Sequence, residues 1–416
     1  MGLDRTEEEL ATSTTPGICR DRGAASFSTM TSRAARPRRR RPFHVHVENP
    51  WAAIRAAARS ATFLVKMMPV PQGPIDRVTE RPVVERLAFP TEAGQMEADL
   101  YRPGSKGPHP GILVSLGVLP MGVVDPRAAQ IGEALARSGF AALLYWSPST
   151  GDLRLIPEDI PVLVSAYEAL IRQPAVDAKR SGLMGICVGA SFALIAAASP
   201  RIRDQVRFVF AYAPYSSLWT LAVDIASETR TIGAAHEAWD VDPLTWKVYV
   251  RSVTDRLEPA EARRLRDAFE DRISWDDTKT VIVHAPTRGE VDQTLLSMDG
   301  RAILRLLAAG ADDVEIALSQ LPGSAASLLT AMSPMTYVDD IAAARIMLLH
   351  DRYDHLIPVS ESRRLWSALS PRRGTSYREM GLRHLRMPGG LSPLRLLREI
   401  GRSYMAWYQL FRAAVS

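Results

Sequence analysis

The sequence predicts an α/β fold: a mainly parallel central sheet flanked by helices, with a helical cap inserted late in the strand order. Three observations predict it. Short continuous apolar runs recur at Gly111 to Leu116 (GILVSL), Phe140 to Trp146 and Gly182 to Ile186, each the mark of a strand buried on both faces. Segments with apolar residues at helical spacing separate them, so the chain reads strand, helix, strand, helix. That rhythm breaks from about Leu218 to Met335 and resumes with Ala344 to Leu349.

The elements follow in order. Val83 to Phe89 and Met96 to Tyr101 alternate and are joined across a turn at Gly94, which predicts an antiparallel pair. After the first buried strand, Arg127 to Arg137 has helical spacing through Ile131 and Leu135. Gly139 follows it where a helix end wants positive φ. Pro157 opens a helix whose apolar face runs through Ile160, Leu163, Val164, Tyr167 and Leu170. The Gly182 strand leads into a helix of small residues, Val188 to Ala198, and then the strand Val206 to Tyr212. Within the break, Pro259 to Glu270, Asp299 to Leu307 and Ala325 to Met332 read as helices and Thr280 to His284 as a strand. The final elements are helix Val359 to Leu369, strand Thr375 to Met380 and helix Pro393 to Ala413.

The 416 residues are 46% apolar and 23% charged, ordinary for an enzyme-sized globular protein. The net charge of +5 is unevenly placed, with an arginine excess before residue 42 that includes Arg38 to Arg41. Residues 1–48 read as a disordered basic extension, able to touch anionic surfaces but carrying no signal of specific nucleic-acid binding. Residues 49–77 read as an amphipathic helix from Trp51 and a linker, the helix either packed on the body or lying at a membrane surface in weak peripheral contact. Residues 78–217 and 337–416 are the two parts of the α/β body, and 218–336 the cap. Two cysteines, Cys19 and Cys187, make no disulfide framework, which suits a reducing compartment such as the cytoplasm. No ligand cluster or phosphate-binding glycine loop stands out, so neither a metal nor an organic cofactor is expected.

The sharpest chemical signal is Gly185-Ile186-Cys187-Val188-Gly189, which ends an apolar strand and opens a helix. A nucleophile at the tip of so sharp a turn needs close backbone approach on both sides, hence glycines two residues away each way. The helix N-terminus aimed at Cys187 is expected to favour the thiolate, and the Val188 N–H to stabilise an oxyanion. The competing reading is an inert core cysteine. Downstream, Asp354 falls on the loop after an apolar strand ending at His350, where a carboxylate can orient an imidazole. Asp351 is its rival and is expected to be a surface carboxylate. His384, after the final strand, completes the order nucleophile, acid, histidine. His350 reads as a core-strand residue, His355 adjoins the acid, and His109, His236 and His284 lie elsewhere. A second oxyanion donor is expected from the Gly117-Val118-Leu119-Pro120 loop, with Val118 ahead of Leu119.

These residues resemble the α/β-hydrolase superfamily and, within it, the dienelactone hydrolase-like enzymes that carry Cys in place of Ser. The likeness spans roughly Pro82 to Ser216 and Ala343 to Pro388 and rests on GICVG, the loop Asp354 to Pro358 and the late His384. It implies a Cys187, Asp354, His384 triad acting on a small-molecule carboxylic ester, lactone or thioester through a thioacyl-enzyme. The large insertion and the basic extension depart from that group, so its substrate does not carry over. Polyhydroxyalkanoate synthases look similar at G-x-C-x-G, at Asp354-His355 to Pro358 and in having a cap, which implies acyl transfer as the alternative. A non-catalytic binding module is the reading from a different class. The sequence leaves the oligomeric state open.

Overall fold

The computed structural model describes residues 50–68, 73–118, 125–232, 235–270, 273–275, 281–283, 291–381 and 393–415. The chain divides into Met1–Val47, which lies outside those residues, and Glu48–Ser416, which holds every element below. The readings made for the basic extension, for Leu119 and for Thr280 and His284 fall outside the described residues.

Helix α1 (Pro50–Met67) buries Ala52, Ala56 and Phe63, and a single-turn helix α2 (Gly73–Val78) follows it. Strands β1 (Val83–Thr91) and β2 (Gly94–Arg102) form the expected antiparallel pair. Their register runs from Val83 opposite Arg102 to Thr91 opposite Gly94, and the turn takes Gly94 to φ +110°. Then come β3 (His109–Ser115), α3 (Pro126–Arg137), β4 (Ala141–Tyr145) and a one-turn α4 (Pro148–Gly151). Asp125 caps α3 by accepting from the Arg127 N–H, and Gly139 stands at φ +91° beyond its end. Helix α5 (Asp159–Ile171) begins just after the Pro157 turn, and β5 (Val176–Ile186) starts six residues earlier than the apolar run predicts. Helix α6 (Val188–Ala197) and β6 (Phe208–Tyr212) follow.

Between β6 and the next sheet strand lie α7 (Leu218–Ser227), β7 (Thr229–Ile232), β8 (Ala235–Ala238), α8 (Pro243–Val253), α9 (Pro259–Glu270), β9 (Ile273–Trp275), β10 (Val281–Val283), α10 (Met298–Ala308), α11 (Val314–Ser319) and α12 (Gly323–Ala331). The hairpin β7–β8 is a finding that the sequence reading did not anticipate. The chain returns to the sheet with β11 (Arg345–Asp351), α13 (Val359–Leu369), β12 (Thr375–Met380) and α14 (Pro393–Val415).

The central sheet has eight strands in the order β1-β2-β4-β3-β5-β6-β11-β12. Strands β1 and β2 are antiparallel, β2 meets β4 antiparallel, and the pairings from β4 to β12 are parallel. Alternate residues feed two apolar clusters. On β3, Ile112 and Val114 face one side and Leu113 the other; on β6, Phe208 and Phe210 face one side and Val209 and Ala211 the other. Helices α1, α3 and α14 cover the first side, with Phe63 packed 4.2 Å from the ring centre of Trp407. Helices α5, α6 and α13 cover the second, whose cluster continues without a break into Leu221, Ile225 and Val248 of the β6–β11 segment.

Register fixes which residues share the carboxyl edge. Ser115 pairs with Gly185, Ile186 with Tyr212, Tyr212 with Leu349 and Asp351 with Met380. The chain segments leaving these strands, at Leu116, Cys187, Ala213, Arg352 and Gly381, therefore emerge side by side. Ligands of open α/β sheets bind along such an edge.

Candidate active site

Cys187 is the turn between β5 and α6. It sits at φ 56° and ψ −131°, a region that a residue with a Cβ rarely enters and that costs about 1–3 kcal/mol. The surroundings hold it there. Its N–H donates to the Tyr212 carbonyl at 2.8 Å, and its carbonyl accepts from the Ala190 N–H at 2.9 Å. A Cβ on Gly185 would run into the Gly189 carbonyl oxygen and the Ala190 backbone, and one on Gly189 into the Ser115 carbonyl oxygen. Both glycines are thus required by close backbone approach, as the motif predicts. Gly117 belongs with them: a Cβ there would come within 2.7 Å of the Ile186 oxygen and 2.9 Å of the Cys187 Cβ. The β3 loop that carries Val118 is pressed against the Cys187 turn.

Asp354 lies on the turn after β11 and is 1% exposed. Its Oδ1 accepts from the Leu356 N–H at 2.7 Å and the Ile357 N–H at 3.2 Å, so the loop's own backbone fixes the carboxylate. Asp351 corrects the expectation of a surface carboxylate. It is fully buried as the last residue of β11, paired in register with Met380, and its Oδ1 accepts from the Tyr353 N–H at 2.9 Å. Strand β12 supplies the cover that local sequence does not reveal. His350 is buried as expected and has structural partners: Nε2 faces the Ile357 carbonyl at 3.0 Å and Nδ1 the Ser362 hydroxyl at 2.6 Å. A carbonyl only accepts, so Nε2 carries the proton. This histidine braces the turn that carries Asp354.

His384 lies outside the described residues. The chain leaves β12 at Met380 beside Asp351, and Gly381 donates its N–H to Glu399 at 2.7 Å. Among the other sequence-predicted residues, the structure brings Cys187, Val188 and Val118 together on one pocket, and Leu356 and Ile357 of the Asp354 loop line it with them. The Val188 N–H lies against the Cys187 sulfur.

Free space in and above that pocket amounts to about 620 Å³, open solvent included. Leu218, Leu221 and Ile225 of α7 form one wall, α8 another, and Leu155 and Leu329 close it. Helix α8 is seated on the acid loop: Thr245 Oγ1 donates to the Leu356 carbonyl at 2.7 Å, and the Asp242 N–H to the His355 carbonyl at 3.4 Å. Asp242 also caps α8 by accepting from the Leu244 N–H at 2.8 Å.

The electrostatics among the described residues run against the expected thiolate. Burial pushes the Cys187 thiol up to about 12; the Asp354 carboxylate adds to this, the Val188 N–H opposes it, and Asp242 adds again. Cys187 keeps part of its surface open, but the opening is lined by apolar groups that do not solvate a thiolate. The N-terminus of α6 is too weak a field to offset desolvation and two nearby carboxylates.

The crossed order of β3 and β4, the antiparallel opening strands and the strained turn at Cys187 after β5 decide the fold. This is the α/β-hydrolase fold. No family model matches the chain. A curated protein, bile acid-CoA:amino acid N-acyltransferase of Mus musculus, is 31% identical over 128 residues, 29% of this chain and 29% of that protein. The chain thus matches less than a third of the length of that relative. Among solved structures, brefeldin A esterase, described as a bacterial homologue of human hormone sensitive lipase, is 14% identical with a TM-score of 0.45, covering 90% of this chain and 89% of that one. Acylaminoacyl peptidase of Pyrococcus horikoshii is 14% identical with a TM-score of 0.42 over 75% of this chain and 39% of that one. A dienelactone hydrolase from Klebsiella pneumoniae subsp. pneumoniae is 12% identical with a TM-score of 0.40 over 79% and 98%. The fold rests on strand order and the strained turn at Cys187, not on these distant likenesses.

Sequence reasoning passed over three residues of the site. Gly117 is a lone glycine without a motif. Asp242 and Thr245 belong to Asp242-Pro243-Leu244-Thr245, a helix-start signal of capping carboxylate followed by proline that was there to be read.

Proposed function

We propose that this chain is an α/β-hydrolase, a cysteine-dependent acyl-transfer enzyme similar to the dienelactone hydrolase-like group, that cleaves a carboxylic ester, lactone or thioester. One observation carries the reading: Cys187 is held at a strained elbow on the wall of an apolar pocket, with the buried Asp354 close enough for its charge to act on the thiol. Strain maintained by close-packed glycines is the mark of a side chain that must be presented.

In this mechanism His384 is the general base and Asp354 orients it. A thiol raised to about 12 is protonated near neutrality, so the proton leaves as the sulfur attacks rather than beforehand. The sulfur–carbon bond forms, the carbonyl oxygen becomes an oxyanion, and the Val188 and Val118 N–H groups stabilise it. Collapse expels the alcohol or thiol, which takes the proton from His384 and leaves a thioacyl-enzyme. Water then attacks with His384 as base, and the acid departs with the Cys187 thiol restored. The segment between β6 and β11 acts as the cap that shapes the acyl pocket.

Purified chain is incubated with p-nitrophenyl esters, lactones and acyl-thioesters, and intact mass is followed in a single turnover. Cys187→Ala is expected to fold and to lose turnover by at least about a thousandfold, and the parent chain to gain one acyl mass. Full esterase activity in Cys187→Ala overturns the reading. A second reading, transfer to an acceptor other than water, is favoured by the apolar lining around Cys187 and by the relative named as an amino acid N-acyltransferase. Amide product formed when amino acids are added to an acyl-thioester distinguishes it from free acid.

A further inference from the structure

The six parallel strands are all entered at the edge of the sheet opposite Cys187, and a basic side chain stands at each entry. In spatial order, Arg59 lies against Gly139 ahead of β4, where a Cβ on the glycine would come 2.8 Å from the guanidinium carbon. Lys106 precedes β3, and Lys179 stands in the bulge of β5 between Asp177 and Gly182. Arg207 precedes β6, Arg345 opens β11 and Arg373 precedes β12. Ladder bonds hold these entries side by side. The Arg207 N–H donates to the Ser181 carbonyl at 2.9 Å, the Ala344 N–H to the Arg207 carbonyl at 3.1 Å and the Ile346 N–H to the Gly374 carbonyl at 3.1 Å. With neighbouring strands about 4.8 Å apart, the row runs roughly 24 Å.

Five of the six are exposed and Arg59 is half-buried. None of the six makes a side-chain hydrogen bond or an ion pair among the described residues. Other arginines of this edge are taken up by the fold, Arg180 by Asp177 at 2.7 Å and Arg201 by Glu168 at 2.8 Å. Two exposed carboxylates, Asp204 and Asp339, share the edge and pair with none of the row. Like charges on adjacent strands repel and lower stability, so folding supplies no reason for this arrangement. A polyanion does.

We propose that this amino edge of the sheet is a docking surface for double-stranded nucleic acid, held through its phosphates without regard to sequence. A membrane surface is held by apolar side chains as well as by charge, and a single strand by rings on which its bases stack. The six strand entries expose no large apolar side chain among the described residues, so they offer neither. Charges set in one line suit a duplex backbone, whose phosphates position a protein but carry no sequence information. The pocket of Cys187 lies at the other edge and is left uncovered by such a partner. The proposal is independent of the acyl chemistry.

The test is the salt dependence of binding. The full chain first receives Arg38→Ser, Arg39→Ser, Arg40→Ser and Arg41→Ser, so that the basic extension does not supply the affinity. It is titrated by fluorescence anisotropy against two labelled DNA duplexes of unrelated sequence, each of about 20 base pairs, between about 50 and about 200 mM salt. The logarithm of the binding constant is expected to fall against the logarithm of salt with a slope of about −5, and the two sequences to agree within about fivefold. Adding Arg207→Gln, Arg345→Gln and Arg373→Gln is expected to make the slope shallower by about three units, at a temperature where both proteins are folded. The proposal is overturned if the serine variant does not bind, if the glutamine substitutions leave the slope unchanged, if the two sequences differ by more than that margin, or if the separated strands bind as tightly as the duplex. Vesicles of phosphatidylglycerol and phosphatidylcholine form the last arm. Sedimentation with them in preference to the duplex would make this edge a membrane surface and overturn the proposal as well.

Discussion

The Thr245 hydroxyl donates to the Leu356 carbonyl at 2.7 Å, tying the first turn of α8 to the loop whose backbone holds Asp354. The wall of the pocket and the acid are thereby one mechanical unit. Thr245→Val keeps the shape and strands the carbonyl, so it is expected to cost about 1–2 kcal/mol in chemical denaturation. If α8 positions the acid loop, kcat/KM falls several-fold as well, whereas a purely structural tie leaves kcat/KM unchanged at temperatures where both proteins are folded.

Gly189→Ala puts a methyl into the carbonyl oxygen of Ser115 on the neighbouring strand. Backbone cannot move aside as a flexible side chain would. A loss of about 3 kcal/mol is expected, read as a lower denaturation midpoint. A variant of parental stability would mean that α6 does not approach β3 as described.

The raised thiol carries a signature in alkali. Folded Cys187 stays protonated up to about 12 while the unfolded thiol ionises from an ordinary value of 9.0. Its contribution to stability is therefore complete below about pH 9 and is lost as pH rises toward 12. Relative to Cys187→Ala, the parent chain is expected to lose up to about 1 kcal/mol per pH unit across that window. Denaturation of both proteins at matched pH values measures it; parallel curves above pH 9 would contradict the burial of the thiol.

Glu379 gives the opposite dependence. Burial would raise its carboxyl, but Arg363 at 2.7 and 2.9 Å, Tyr377 at 2.7 Å and Arg352 at 3.2 Å outweigh that and hold it at about 2. The folded value lies below the unfolded one, so the stability is present above about pH 4.5 and lost as pH falls toward 2. Glu379→Gln is expected to flatten the acid limb by roughly 2 kcal/mol, seen in urea titrations between pH 5 and 2. An unchanged acid limb would show that the cluster does not hold in solution.

Much of this molecule could be read from its residues because the decisive signals are local. The apolar runs of β3, β5 and β11 mark strands covered on both faces, and Gly185 and Gly189 mark a turn whose tightness needs them. What escaped reading depends on neighbours distant in the chain. Asp351 ends a strand and looks exposed until β12 is laid beside it. The hairpin β7–β8 is short, and the Ala235–Ala238 half lacks the β-branched alternation that announces a strand. The protonation of Cys187 is a sum over burial, Asp354, Asp242 and the Val188 N–H at the helix N-terminus, of which only the last shows locally in the sequence. Asp242 and Thr245 were legible as a helix start but not as parts of the site, since nothing local places α8 on the Asp354 loop.

The seating of Phe63 between Trp407 and Phe411 has a consequence for how the chain matures. Helix α1 ends at Met67 and α14 begins at Pro393, so during synthesis the apolar stripe of α1 emerges long before its cover exists. The nascent chain must carry that stripe, and the sheet face behind it, uncovered until translation has passed residue 411. An arrest shortly before α14 would leave that apolar face uncovered and prone to aggregate.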